Sequence, residues 1–189
     1  PGLYCVATPI GNMGDITFRA IETLKNSDLI LCEDTRVSKK IFQKFEINKK
    51  IISYHKFNES KNLDKIIGLL KEKKIVSLVS DAGTPTVSDP GRVLVKECAK
   101  NGINVFPIPG ASAVSSAISI SGFSDNYYFC GFIPEKDSQI KKLFKDLSLI
   151  HGSIIFFISP NKLTKRINDL KEFFLNRDLL ICREISKYH

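Results

Sequence analysis

Tryptophan is absent from this chain of 189 residues, methionine occurs once, and histidine occurs three times, at His55, His151 and His189. No HxxxH or HExxH spacing joins those histidines to carboxylates, so the common zinc-hydrolase arrangements are excluded and no metal is expected. The five cysteines, Cys5, Cys32, Cys98, Cys130 and Cys182, form no CxxC pair, and their number is odd. They read as small buried hydrophobes rather than as a disulfide frame or a metal site. Long hydrophobic runs are also lacking: none approaches the ~18 residues of a membrane span, and no basic-then-apolar leader opens the chain. A cytoplasmic location is therefore expected. There is no GxGxxG, no GxxxxGK followed by Ser or Thr, and no GxSxG. These absences argue against a dinucleotide-type Rossmann loop, a P-loop NTPase and a hydrolase elbow.

What is present belongs to a globular chain. Hydrophobic residues make up 43% and charged residues 25%, a balance that can fill a core and solvate a surface. The formal net charge of +8 is concentrated. Between Arg36 and Lys74, twelve Lys and Arg (36, 39, 40, 44, 49, 50, 56, 61, 65, 71, 73, 74) stand against four acids (46, 59, 64, 72), a surplus equal to that of the whole chain. Two readings stand: a basic face for a polyanion such as RNA, or lysines that merely solvate helices in a compositionally biased sequence.

Short β-branched runs alternate with helical periods. Strands are expected at 3–7, 29–32, 51–54, 75–79 and 105–108, with helices at 18–25, 38–45, 62–73, 93–102 and 111–120. In the first helix Phe18, Ile21 and Leu24 are the apolar positions. The pattern predicts an α/β fold with a mainly parallel sheet flanked by helices, whose strands are apolar because both faces are covered. After GFSDN (122–126) the spacing changes, with strands at 127–132, 153–159 and 178–186 around helices at 139–147 and 162–174. We therefore expect an N-terminal α/β domain over 1–123 and a second, incomplete α/β domain over 124–189, whose last strand has nothing after it to cover it.

In parallel α/β sheets ligands bind at the carboxyl ends of the strands. Here those ends carry TPIGN (8–12), EDTR (33–36), SDAGTP (80–85) and PGAS (109–112), all rich in polar or special-geometry residues. The third belongs to VSLVSDAGTPTVSDPG (76–91), where a buried strand runs into a rigid, polar loop that stability alone does not require. Taken in order, LYCVATPIGN, DITFRAIETL, EDTR, VSLVSDAGTPTVSDPG, PIPGASA and FCGFIP resemble a family: the bacterial enzymes that methylate a ribose 2′-oxygen on a cytidine of 16S ribosomal RNA. They are members of the tetrapyrrole methylase superfamily.

The resemblance implies S-adenosylmethionine as cofactor, folded between two α/β domains, the small ribosomal subunit as partner, and a homodimer. Carried onto this chain, it assigns the cofactor to Thr8, Pro9, Asp81, Gly83, Thr84, Ser112 and Ala113, with Ile158 from the second domain. Asp81 would accept hydrogen bonds from cofactor hydroxyl or ammonium groups, although an Asx-turn onto its own backbone is the plainer alternative. Ser112 could equally be a simple helix cap. Substrate contacts fall on Asn12, Arg36, Lys39, Lys40, Asn58 and Glu59. The base that takes the ribose proton is sought among Glu33, Asp34 and His55, a role worth roughly 10²–10⁴-fold in rate; Glu33 and Arg36 could instead simply pair, and Asn58 or Ser60 could cap a helix. The chain departs from the family at Phe57, where a second histidine is common, at Ala111, and at Ile158, Asn161 and Lys162. It also stops short of the family's usual length. Two rival functions remain at this point: a methylase of a corrin or porphyrin, and a non-catalytic RNA-binding or ribosome-assembly protein.

Overall fold

The computed structural model describes residues 1–187. It divides into two compact units, Pro1–Ala113 with residues 184–187, and Val114–Arg183. The division falls ten residues ahead of the composition change at 124, because all but the first residue of the small-residue helix after PIPG pack with the second unit.

The first unit is built on β1 (Gly2–Val6), β2 (Leu29–Cys32), β3 (Ile51–Ser53), β4 (Ile75–Val79) and β5 (Val105–Ile108), in the order β3-β2-β4-β1-β5. All four neighbouring pairs are parallel. Helices α1 (Phe18–Asn26), α2 (Thr35–Lys44), α3 (Glu59–Lys71) and α4 (Arg92–Lys100) make the crossovers. Alternation along β2 shows why its run is apolar throughout. Leu29 and Leu31 join α3 and α4 in one core cluster, while Ile30 and Cys32 join α1 and α2 in another, so each face of the sheet buries its own set. Leu3, Val76 and Leu78 continue the first cluster, and Val6 and Val79 the second.

The chain leaves β1 toward β2 and leaves β4 toward β5, so adjacent strands send their connections in opposite directions. Their carboxyl ends form the topological switch point of the sheet. A short 3-10 turn at Met13–Asp15, not foreseen from the sequence, lies between β1 and α1 and is capped by Asn12, whose Oδ1 accepts from Gly14 N at 2.9 Å.

The second unit contains most of α5 (Ala113–Ser121), followed by β6 (Tyr127–Phe132), α6 (Asp137–Ser148), β7 (Ser153–Phe157) and α7 (Pro160–Phe174). Strands β6 and β7 pair in parallel. Ile140, Phe144, Leu147 and Leu170 form a core with Ile154 and Phe156. Phe144 is fully buried and meets Phe156, Phe173 and Phe174 at 5.4–6.4 Å between ring centroids. Arg166 pairs with Asp137 and with Asp169, the latter at 3.1 Å.

Four sequence expectations are corrected. Residues 178–186 form no strand, and Leu179, Leu180 and Ile181 are exposed. An apolar run becomes a strand only where a neighbouring strand pairs with it, and among the described residues none pairs with this one. Instead Ser186 and Lys187 pack at Gly11. Phe18 is 93% exposed; it is the first residue of α1, and the buried stripe begins two residues later, with Ala20 and Leu24. Cys182 is exposed, whereas Cys32 and Cys98 are buried. Burial pushes the Cys5, Cys32 and Cys98 thiols up to about 11, which leaves them unreactive. The basic segment is not one face. All twelve cations are exposed, but α2 and α3 pack against opposite faces of the sheet, so the charge wraps its β3 edge.

Candidate functional site

The switch point is stitched by main chain. Thr8 N–H donates to the Gly83 carbonyl at 2.9 Å and Gly83 N–H to the Thr8 carbonyl at 3.0 Å, so the loops after β1 and β4 form a short antiparallel bridge. Thr8 Oγ1 donates to the Ser80 carbonyl at 3.2 Å inside the protein. Thr84 Oγ1 donates to the Ala111 carbonyl at 3.3 Å and ties in the loop after β5. Gly83 sits at φ +82°, and a Cβ there would lie 3.2 Å from Ile10 Cγ2; only glycine adopts that conformation cheaply so close to a neighbour. Thr8, Pro9, Gly83 and Pro85 are buried. Five of the residues assigned to the cofactor by resemblance, Thr8, Pro9, Asp81, Gly83 and Thr84, therefore lie in two loops held together. Ser112 and Ala113 lie just beyond Ala111, where α5 begins.

Asp81 does not form an Asx-turn onto its own loop. Its Oδ1 accepts from Asp34 N at 2.9 Å and fastens the β4 loop to the end of β2. Asp34 in turn is the N-cap of α2, which starts at Thr35, three residues earlier than its pattern indicated. Its Oδ1 accepts from Arg36 N at 2.8 Å, and Arg36 Nη2 lies 2.6 Å from Oδ2. The bonds from Arg36 hold the Asp34 carboxyl down to about 2. A carboxylate so well satisfied is a poor proton acceptor. Arg36 pairs with Asp34, and not with Glu33.

A different cavity, of about 310 Å³, opens beside this stitched region. It is lined by Glu33, Lys56, Glu59, Ser88, Asp89, Pro90, Gly91 and Arg92. The carboxyl ends of β2 and β3 and the tail of the β4 loop contribute to it. Burial pushes the Glu33 carboxyl up, and the negative charges of Asp81, Asp89 and Asp34 push in the same direction. Asp89 is raised as well, first by burial, with Ser80 opposing through a hydrogen bond and Asp81 adding to the rise. A raised carboxyl is a more basic carboxylate once ionised, so Glu33 has the environment of a proton acceptor.

His55 is held by its own turn. Its N–H donates to Asn58 Oδ1 at 2.8 Å, and Asn58 Nδ2 donates to the Ser53 carbonyl at 3.1 Å. Ser53 Oγ reaches the Glu33 carbonyl at 3.2 Å, so the ends of β2 and β3 are linked. Asn58 precedes α3 without capping it. Glu59 Oε2 accepts from Gly91 N at 3.4 Å, which places one carboxylate at the N-termini of both α3 and α4, where helix dipoles favour it.

The cavity residues not singled out from the sequence are Lys56, Ser88, Asp89, Pro90, Gly91 and Arg92. The signal was present in Asp89, the second aspartate of VSLVSDAGTPTVSDPG. Thr86 and Ser88 both take φ near +69°, an uncommon conformation for residues other than glycine, which turns this segment back on itself. Gly91, at φ +117°, lies so close to the core that a Cβ would stand 2.4 Å from Leu78 Cδ2. Lys39 and Lys40 are exposed on α2 and do not line the cavity, and Ile158 follows β7 in the second unit.

The family model described as Tetrapyrrole (Corrin/Porphyrin) Methylases matches residues 2–189. A protein of Mesomycoplasma conjunctivae named Ribosomal RNA small subunit methyltransferase I is 46% identical over 188 residues, covering 97% of this chain and 78% of the relative. The protein of the same name from Thermotoga maritima is 44% identical, covering 99% of this chain and 84% of the relative. Among solved structures, a diphthine synthase superposes with a TM-score of 0.63 at 15% identity over 89% of this chain and 73% of its own. A uroporphyrin-III-C-methyltransferase of Thermus thermophilus gives 0.51 at 16% identity, over 69% of this chain and 60% of its own. At such identities these two likenesses concern the fold alone.

Proposed function

The chain belongs to the tetrapyrrole (corrin/porphyrin) methylase family, and on that premise we propose that it is an S-adenosylmethionine-dependent methyltransferase of small-subunit ribosomal RNA, acting on the ribose 2′-oxygen of a cytidine. The observation that carries the RNA reading over a tetrapyrrole substrate is the match, along nearly the whole chain, to relatives named as ribosomal RNA methyltransferases. The exposed cations on α2, on α3 and at the two ends of β3 supply the electrostatic surface such a substrate needs.

The residues at the switch point fit the cofactor. A nucleoside with an amino-acid tail is best held by close-packed main chain and one well-anchored carboxylate, and the Thr8–Gly83 bridge, the glycine at φ +82° and Asp81 provide them. Asp81 is fixed through Oδ1 by Asp34 N, and its Oδ2 is the oxygen we assign to the cofactor. S-adenosylmethionine supplies, when bound, an electrophilic methyl group. The protein then has to place the ribose hydroxyl and remove its proton.

We assign that proton to Glu33, which lines the cavity and is made more basic by burial and then by the charges of its neighbours. Asp34 is the weaker candidate, because its carboxylate is held by bonds from Arg36. Lys56 and Arg92, on the cavity wall, would meet the phosphates flanking the target ribose. Homodimer formation belongs to the same reading on family likeness alone, and sedimentation at micromolar concentration tests it.

The deciding experiment is transfer of labelled methyl from S-adenosylmethionine to small ribosomal subunits lacking the modification, followed by alkaline hydrolysis. Label recovered in an alkali-resistant dinucleotide is the expected result. Label in alkali-labile mononucleotides would place the methyl on a base and overturn the ribose assignment.

A further inference from the structure

Phe57 is 93% exposed, yet it occupies a turn whose backbone is firmly held. Its N–H donates to His55 Nδ1 at 3.3 Å, and Asn58 on its other side bonds to His55 N and the Ser53 carbonyl. The ring meets His55 at 6.0 Å between centroids with an interplanar angle of 64°. A ring left this open adds almost nothing to folding, since hydrophobic stabilisation comes from area removed from water. Turns are ordinarily filled by small or polar residues.

The surroundings give the ring a chemical context. The preceding residue, Lys56, and Arg92 both line the cavity that holds Glu33, and Lys61 and Lys65 follow on the exposed side of α3. An exposed aromatic among cations, beside a cavity able to take a ribose, is the arrangement by which single-stranded nucleic acid is held: rings stack on bases while cations follow the backbone. We propose that Phe57 is the stacking platform for a nucleobase next to the target nucleotide, with Lys56 and Arg92 on the phosphates between them. Phe57 is then a positioning residue. It fixes which ribose enters the cavity and takes no part in moving the proton. This inference rests on the RNA reading above.

The test uses the absence of tryptophan. Phe57→Trp introduces the chain's only indole, directly at the proposed platform. Titration with oligocytidylate RNA should quench its emission saturably, and an abasic ribose-phosphate chain of equal length should not. Phe57→Ala should weaken binding of the oligonucleotide by about 5- to 150-fold, the range for loss of one stacked base, and raise KM for unmodified subunits more than it lowers kcat. Phe57→Tyr should restore both. The thermal midpoint of all three variants should match the wild type, because the ring is exposed. Binding of the RNA to Phe57→Trp without a change in emission, or wild-type affinity in Phe57→Ala, overturns the stacking proposal alone. Failure of the wild-type protein to bind RNA overturns the RNA reading, and this proposal with it.

Discussion

Two sets of loops leave the same edge of one sheet and are constructed differently. The loops after β1, β4 and β5 are joined by main-chain and hydroxyl bonds, with Thr8, Pro9, Gly83 and Pro85 buried. The ends of β2 and β3, with the tail of the β4 loop, instead place three carboxylates and two cations around a cavity. Backbone groups bonded to one another make a rigid surface that can hold a ligand by shape at no cost in charge. Charged side chains around a partly buried space shift one another's proton affinities, which is what acid–base work requires. Asp81 belongs to both sets: it lies in the β4 loop, bonds the end of β2, and raises the Glu33 carboxyl.

Substitutions on the two sides should therefore fail in different ways. The largest effect is expected for Glu33→Gln, with kcat lower by roughly 10²–10⁴-fold and S-adenosylmethionine affinity retained, as read by methyl transfer and calorimetry. A loss of cofactor affinity without a loss of turnover at saturation would reverse the assignment of the two sides. Gly91→Ala comes next. A Cβ at φ +117° against Leu78 combines backbone strain with overpacking and should cost about 2–4 kcal/mol in a denaturant titration.

Thr8→Val removes a buried hydroxyl bond and leaves the Ser80 carbonyl without that donor. The expected loss is about 1–3 kcal/mol, accompanied by weaker cofactor binding and an unchanged pH profile. The smallest effects concern pH. As a base, Glu33 works only when ionised, so the acidic limb of kcat/KM should follow its raised pKa. Asp89→Asn removes one of the charges that raise it and should move that limb to lower pH. The stability sign follows from the same shifts. A carboxyl raised in the folded state binds more protons than in the unfolded chain, so its contribution is full at low pH and is lost as pH rises through the folded value. Wild type should therefore lose stability relative to Asp89→Asn as pH rises above the ordinary carboxylate range. Asp34 behaves oppositely: its contribution holds above its ordinary value and is lost as pH falls toward about 2.

Strand ranges were legible where local pattern and packing agree. The ranges read for β2, β4, β5 and β6 coincide with the observed ones, because each is a short apolar run. The start of α2 was misjudged. Asp34 and Thr35 look like loop residues, and only the capping bond from Arg36 N shows that the helix begins there. The site was half legible. SDAGTP stood out by its composition, whereas Asp89 and Arg92 did not, since their approach to Glu33 depends on a loop that reverses at Thr86 and Ser88 and returns over Leu78.

By itself the sequence determined the alternation of strand and helix, the family, the glycine and proline loops, and the concentration of positive charge, because each of these is written in local spacing or in residue type. The tertiary structure alone decided that α2 and α3 spread that charge around an edge and not over one face. It also decided that Asp34 is occupied by Arg36 and that Glu33 shares a cavity with Asp89. Proton affinity and charge distribution depend on distances between residues far apart in the chain. Those distances are set by crossovers and by loops that fold back, which no local pattern records.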